Sequence, residues 1–194
     1  MNAGRIEAFS DGVLAIIITI MVLGLRVPHG STFHALRPVF SDLLAYVLSF
    51  VNIGIYWNNH HHLLKTVERV TAGVLWANLN LLFWLSLIPF ATSWMAQNHF
   101  AALPVATYGV VLMMSGTAYY ILQMAIKAAK GPDSQLASAL GRDAKGKASI
   151  IIYAVAIPLT LVSRWISLAM YVLVAVMWLI PDRRLEPIVE HGAA

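Results

Sequence analysis

Polar and charged residues interrupt this chain only at intervals, and the apolar runs between them are long enough to be membrane helices. The uncharged run Gly12 to Leu25 is extended backwards by the amphipathic turn Arg5 to Asp11, which predicts a first span over about residues 5–25. Pro28, Gly30 and Ser31 then break it. A second span is expected over about residues 38–62, apolar from Leu43 through Tyr56 and closing on Trp57-Asn58-Asn59-His60-His61-His62. No formally charged residue lies between Arg69 and Lys127, a stretch too long for one helix at about 1.5 Å rise per residue. It must fold back, and Gln97-Asn98-His99 with Pro104 mark the turn, giving spans near 70–95 and 104–127. After a polar loop over 128–147, two shorter runs, 148–163 and 165–181, are joined by a turn containing Arg164. Read as one helix they would be about 50 Å long and interrupted by Pro158, so a hairpin is expected. The reading is an all-α integral membrane protein of six transmembrane helices, a single domain over residues 1–194.

Composition agrees. Of the 194 residues 59% are hydrophobic and 11% charged, with a mean hydropathy of +0.73, against about a quarter charged in a soluble domain. The absence of Cys excludes disulfide scaffolds, thiolate metal sites and thiol nucleophiles. The net charge of +4 is sparse and sits in loops, which suits lipid headgroups and membrane topology rather than nucleic acid. Assigning the loops alternately to two sides places Arg5, Lys65, Arg69, Lys127, Lys130, Arg142, Lys145, Lys147, Arg183 and Arg184 on one side. Arg26, Arg37 and Arg164 fall on the other, so the positive-inside rule makes both termini cytoplasmic. The mixed charges Arg5, Glu7 and Asp11, with no small-residue cleavage site, argue against a signal peptide, and the first run is expected to be retained.

Three places could carry chemistry. The first is the start of span one, where a carboxylate in the apolar zone costs on the order of 2.5–3.5 kcal/mol, so Asp11 needs a partner. Arg5 is the nearest cation in sequence, about 120° away around the helix. The bland reading is a helix end whose positive dipole favours Glu7 and Asp11. The second is the stripe Gly12, Ile16, Thr19 and Leu23, at offsets of 4, 3 and 4 residues, with Ile17 and Ile20 a small rotation away. By itself such a stripe reads as lipid-facing or packing surface. The third is the histidine run with Asn78 and Asn80. Adjacent residues on a helix point about 100° apart, so His60, His61 and His62 cannot all ligate one ion. A hydrogen-bonded network with Arg5, Ser10 or Asp11 is expected there instead, and no metal. There is no G-x-S-x-G, no H-E-x-x-H and no phosphate-binding glycine loop, so no enzyme is expected. Thr107-Tyr108-Gly109-Val110 resembles a potassium-filter sequence in composition only.

Arg5-x-x-x-Phe9-Ser10-Asp11, directly followed by an Ile/Leu-rich helix, resembles the signature of the transmembrane protein 175 family of cation channels, known from lysosomes and bacteria. Trp57-x-x-His60-His61, Leu79-Asn80-Leu81-Leu82-Phe83 and Pro89-Phe90 also match that family's pattern. The single set of six helices resembles the bacterial members, which assemble as tetramers. The resemblance implies a homotetrameric potassium channel, a leak channel of the cell membrane with no cofactor beyond the permeant ions, whose central pore is lined by the first helix and has no carbonyl filter. It makes Ile16 the tightest hydrophobic ring, with Thr19 and Leu23 towards the outside and Gly12 and Ile20 beside it. It gives Arg5, Phe9, Ser10 and Asp11 a structural role, tied to Trp57, His60, His61 and Asn80. Independently, four copies about an axis can each give one helix to a closed pore, whereas one small bundle hardly encloses an ion path. The competing reading is a proton-coupled or metal-ion transporter using Asp11 and His60 to His62, although no inverted repeat stands out.

Overall fold

The structure is a computed structural model, and it describes residues 3–67, 70–130 and 143–179. Arg69, Arg142, Arg183 and Arg184, the residues 131–142 of the polar loop and the last residues of the sixth span lie outside the described residues.

Helix α1 runs from Ala3 to Leu23, and Gly24 follows it in a turn where a side chain would press on the Ser93 hydroxyl. The connection ends in a 3₁₀ turn, Phe33–Val39, that leads into α2, Phe40–Lys65. The expected third span is one membrane-length stretch, Ala72–Gln97, with a joint in it: α3 is Ala72–Ser86 and α4 is Ile88–Gln97. Pro89 explains the joint, because its ring has no N–H to give and would crowd the carbonyl of Leu85 in a continuous helix. The turn expected at Gln97-Asn98-His99 is where the chain reverses, with His99 and Phe100 at positive φ (49° and 57°). α5 then runs from Ala102 to Lys130.

The two shorter helices differ from expectation in register. α6 is Ala144–Leu159 and begins four residues early because Asp143 caps it, its Oδ1 accepting from the Gly146 N–H at 2.9 Å. α7 is Arg164–Leu179, and Arg164 opens this helix, its guanidinium 5.4 Å from the centre of the Trp165 ring. Among the described residues, four helical stretches are long and apolar enough to cross a membrane: Ala3–Leu23, Phe33–Lys65, Ala72–Gln97 and Ala102–Lys130. Among the described residues, α6 and α7 extend over 16 residues each, about 24 Å against the roughly 30 Å hydrocarbon core.

α5 is the central post, packed against α3, α4, α6 and α7. Close approach to α7 depends on Gly109: a Cβ there would collide with the hydroxyl and ring of Tyr171. The Tyr171 hydroxyl donates to the Val105 carbonyl at 3.3 Å, and its ring meets those of Tyr108 and Tyr153 at 6.1 and 5.8 Å. Gly109→Ala is therefore expected to cost about 1–3 kcal/mol as over-packing, read as a lower melting temperature in detergent; an unchanged melt would mean that α5 and α7 separate without loss. α1 sits at the margin of the bundle, its neighbours being α2, α3 and α4.

Candidate functional site: the two faces of helix α1

α1 is apolar on every side after Asp11, yet its two faces have different surroundings. Ile6, Ser10, Leu14, Ile17 and Met21 are buried against the bundle. On the opposite side Arg5, Phe9, Gly12, Ile16, Thr19, Ile20 and Leu23 are exposed and fall within about 60° of one line along the helix. Ile16 is 58% exposed, Ile20 50% and Leu23 81%, whereas Ile17 is 4% exposed. Of the two neighbours a small rotation away, Ile20 shares the exposed face and Ile17 does not. Thr19 donates its hydroxyl proton to the carbonyls of Ala15 and Ile16, 3.0 Å from each, so its oxygen presents lone pairs to whatever the stripe faces.

The other side of the N-terminal end of α1 carries the polar network. The Asn78 amide on α3 donates to the Ser10 hydroxyl at 2.9 Å, and Ser10 in turn donates to the Ile6 carbonyl at 2.7 Å. The Asn78 carbonyl oxygen lies 2.7 Å from His60 Nε2, which must be the donor, since an amide oxygen can only accept. His60 Nδ1 is then the bare nitrogen, buried and without a partner. All three side chains are essentially inaccessible.

Beside this triad the two acids of α1, four residues apart, meet two α2 residues also four apart. Trp57 Nε1 donates to Asp11 Oδ1 at 3.0 Å, and His61 Nδ1 lies 2.8 Å from Glu7 Oε1. The Trp57 and His61 rings stack between those contacts at 6.0 Å, and His62 meets the edge of His61. The three consecutive histidines thus turn to separate partners.

Three residues expected in this network lie outside it among the described residues. Arg5 and Phe9 are exposed on the stripe side, and Arg5 makes no ion pair among the described residues. The helix wheel is the reason, because both fall in line with Gly12 and Ile16 rather than with Ser10. Asn80 is half-buried, and its side chain makes no hydrogen bond among the described residues. α3 turns Val74, Asn78, Leu81 and Leu85 inward, and Asn80 lies about 200° around the helix from Asn78.

Two contacts were not anticipated. One is the Glu7–His61 pair, foreshadowed only by the four-residue spacing of Glu7 and Asp11. The other is at the far end of α1, where Arg26 meets Asp42 in the first turn of α2: Nε to Oδ2 is 2.7 Å and Nη2 to Oδ1 3.1 Å. This carboxylate holds the Arg26 guanidinium above its ordinary pKa, chiefly through the hydrogen bond.

A helix held by polar contacts at both ends and left open along one apolar face is a membrane helix whose free face meets lipid, another subunit or a path. The family profile described as endosomal/lysosomal potassium channel TMEM175 matches residues 5–89, which contain the whole of this network. A potassium channel of a Chryseobacterium strain is 54% identical over 186 residues, 96% of this chain and 97% of that protein. The human endosomal/lysosomal proton channel TMEM175 is 35% identical over 86 residues, 38% of this chain and 17% of its own. The crystal structure of a lysosomal potassium-selective channel TMEM175 homolog from Chamaesiphon minutus superposes with a TM-score of 0.78 at 26% identity, over 93% of this chain and 97% of that one. This chain belongs to the TMEM175 family, a family of ion channels rather than enzymes.

Proposed function

We propose that this protein is a potassium-preferring cation leak channel of the cell membrane, a homotetramer of six-span subunits with both termini cytoplasmic. Four copies of α1 surround a central pore, whose narrowest ring is Ile16. Thr19 and Leu23 follow towards the outside, Gly12 lies towards the inside and Ile20 flanks the ring. The observation that carries this reading is the continuous exposed stripe of α1, fully separated from the face that packs in the subunit. The 54% identity to a potassium channel over almost the whole chain supports the same ion. Ser10, Asp11, Trp57, His60, His61 and Asn78 keep α1 in register with its subunit. Arg5, Phe9 and Asn80, which have no polar or ring partner among the described residues, are assigned to contacts between subunits or to the inner mouth.

Such a pore needs no carbonyl filter. A ring of aliphatic side chains admits ions according to its diameter and the cost of stripping water. The Thr19 oxygens, their protons committed to the backbone, return part of the lost coordination. A transporter working through Asp11 and the histidines has less support, since Asp11 is held by Trp57 and His60 is buried against Asn78.

The test is the reversal potential of the purified tetramer in planar bilayers with potassium on one side and sodium on the other. The expected result is a current linear in driving force, reversing on the potassium side of zero. Saturable, gradient-driven uptake without such a current would overturn the channel reading.

A further inference from the structure

α1 ends at Leu23, and Arg26 follows three residues later, within about 11 Å of it even for fully extended chain. On the proposed pore this puts four guanidinium groups around the mouth through which cations pass, an arrangement that would repel them. The Arg26 side chain is 47% exposed. Its partner is not. Asp42 is 4% exposed, lies in the first turn of α2 where the helix dipole favours a carboxylate, and engages Arg26 through both oxygens. Arg26 also donates to the Pro38 carbonyl at 3.2 Å, which pulls the guanidinium back over the 3₁₀ turn of its own subunit. Of the three segments at this end of the bundle, residues 24–42, 98–101 and 160–163, Asp42 is the sole acid. It is spent on the cation next to the pore helix, while Arg37 and Arg164 are left without it.

We infer that Asp42 is a conductance-setting residue: by neutralising Arg26 it removes a ring of positive charge from the mouth of the pore on the side of the α1–α2 connection. This rests on the reading of α1 as the pore helix. It makes the sign of the net charge at this clasp, rather than its integrity as a tether, the quantity that the current follows.

Single-channel recording of the tetramer at low and high salt separates the two. Four uncompensated charges at the mouth are expected to lower cation entry from that side ~5-fold at ~10 mM salt, where the screening length is ~30 Å, and hardly at all at ~1 M, where it is ~3 Å. Asp42→Asn should therefore give a rectifying channel at low salt and a nearly symmetric one at high salt. The double variant Arg26→Gln/Asp42→Asn should return to the wild-type current, and Arg26→Lys, which keeps the charge but not the two-pronged contact, should conduct as wild type. Should Asp42→Asn fail to assemble, Arg26→Gln leaves a bare carboxylate and should raise entry from that side at low salt. Currents reduced alike at both salt concentrations, in single and double variants, would make the clasp a tether only and overturn the inference. Ile16→Asn in the same bilayers reports separately on the pore helix: an intact effect there with none from Asp42→Asn removes this inference and leaves the channel reading standing.

Discussion

Ile16→Asn is expected to raise single-channel conductance by roughly five-fold or more and to move the reversal potential between potassium and sodium towards zero. Four sec-butyl groups around an axis offer nothing to a cation leaving its hydration shell, and a narrow ring of them sheds water. An amide at the same position supplies oxygen acceptors and keeps the ring wet, so the dehydration barrier falls for both ions and the difference between them shrinks. Each factor of ten in rate corresponds to about 1.4 kcal/mol, a small part of what moving a charge out of water costs, so the effect is well within reach of one ring. Two neighbours make the test specific. Ile17 is 4% exposed and packs inside its own subunit, so Ile17→Asn should lower the yield of folded protein without opening the pore. Ile20, 50% exposed at the edge of the stripe, should give a smaller gain than Ile16. Unchanged current and selectivity in Ile16→Asn would take this residue out of the constriction.

The stripe was legible because a helical period picks it out of an unbroken apolar run: residues 12, 16, 19 and 23 line up whatever surrounds them. Which side of α1 faced the bundle was harder to read, because a membrane helix can be apolar both where it packs and where it meets lipid or a pore. α3 has the same property. Leu81 and Leu85 are buried while Trp76, Leu79 and Phe83 are exposed, and nothing in their hydropathy separates the two sets. That is why the partner of Ser10 could be taken as Asn80 when it is Asn78: the family pattern points to the neighbourhood, and only the packing of α3 on α5 fixes the rotation. Helix ends were legible where chemistry marks them. Pro89 stood in the sequence as a joint and was read through because the run around it stays apolar, and Asp143 as a cap was hidden in a loop of mixed charges. The Arg26–Asp42 clasp was out of reach for a different reason, since it closes a connection of irregular backbone whose path no periodicity describes.

Asn78→Ala is expected to be the most damaging single change in the polar network, and Asn80→Ala serves as its counterpart. Asn78 gives one hydrogen bond and takes another inside an inaccessible pocket, so its loss strands the Nε2–H of His60 and one contact of Ser10 together. An unsatisfied buried donor costs about 1–3 kcal/mol, although coupling across helices in a membrane averages only about 0.6 kcal/mol, so roughly 2 kcal/mol is a reasonable sum. Ser10 keeps its bond to the Ile6 carbonyl, which is why Ser10→Ala should be milder than Asn78→Ala. The readouts differ for the two asparagines. Asn78→Ala should lower the melting temperature of the detergent-solubilised protein, because the tie between α1, α2 and α3 is within one chain. Asn80→Ala should leave the subunit fold intact and shift the distribution from tetramer to smaller species on size exclusion, if its side chain meets a neighbouring subunit. Asp11→Ala, which frees Trp57 at the level where α1 enters the membrane, should also lose tetramer, because the exposed stripe is then no longer held at one rotation. A fully assembled, wild-type-melting Asn78→Ala would mean that the His60–Asn78–Ser10 triad does not hold the pore helix, and that the apolar contacts of Leu14, Ile17 and Met21 suffice to fix its rotation.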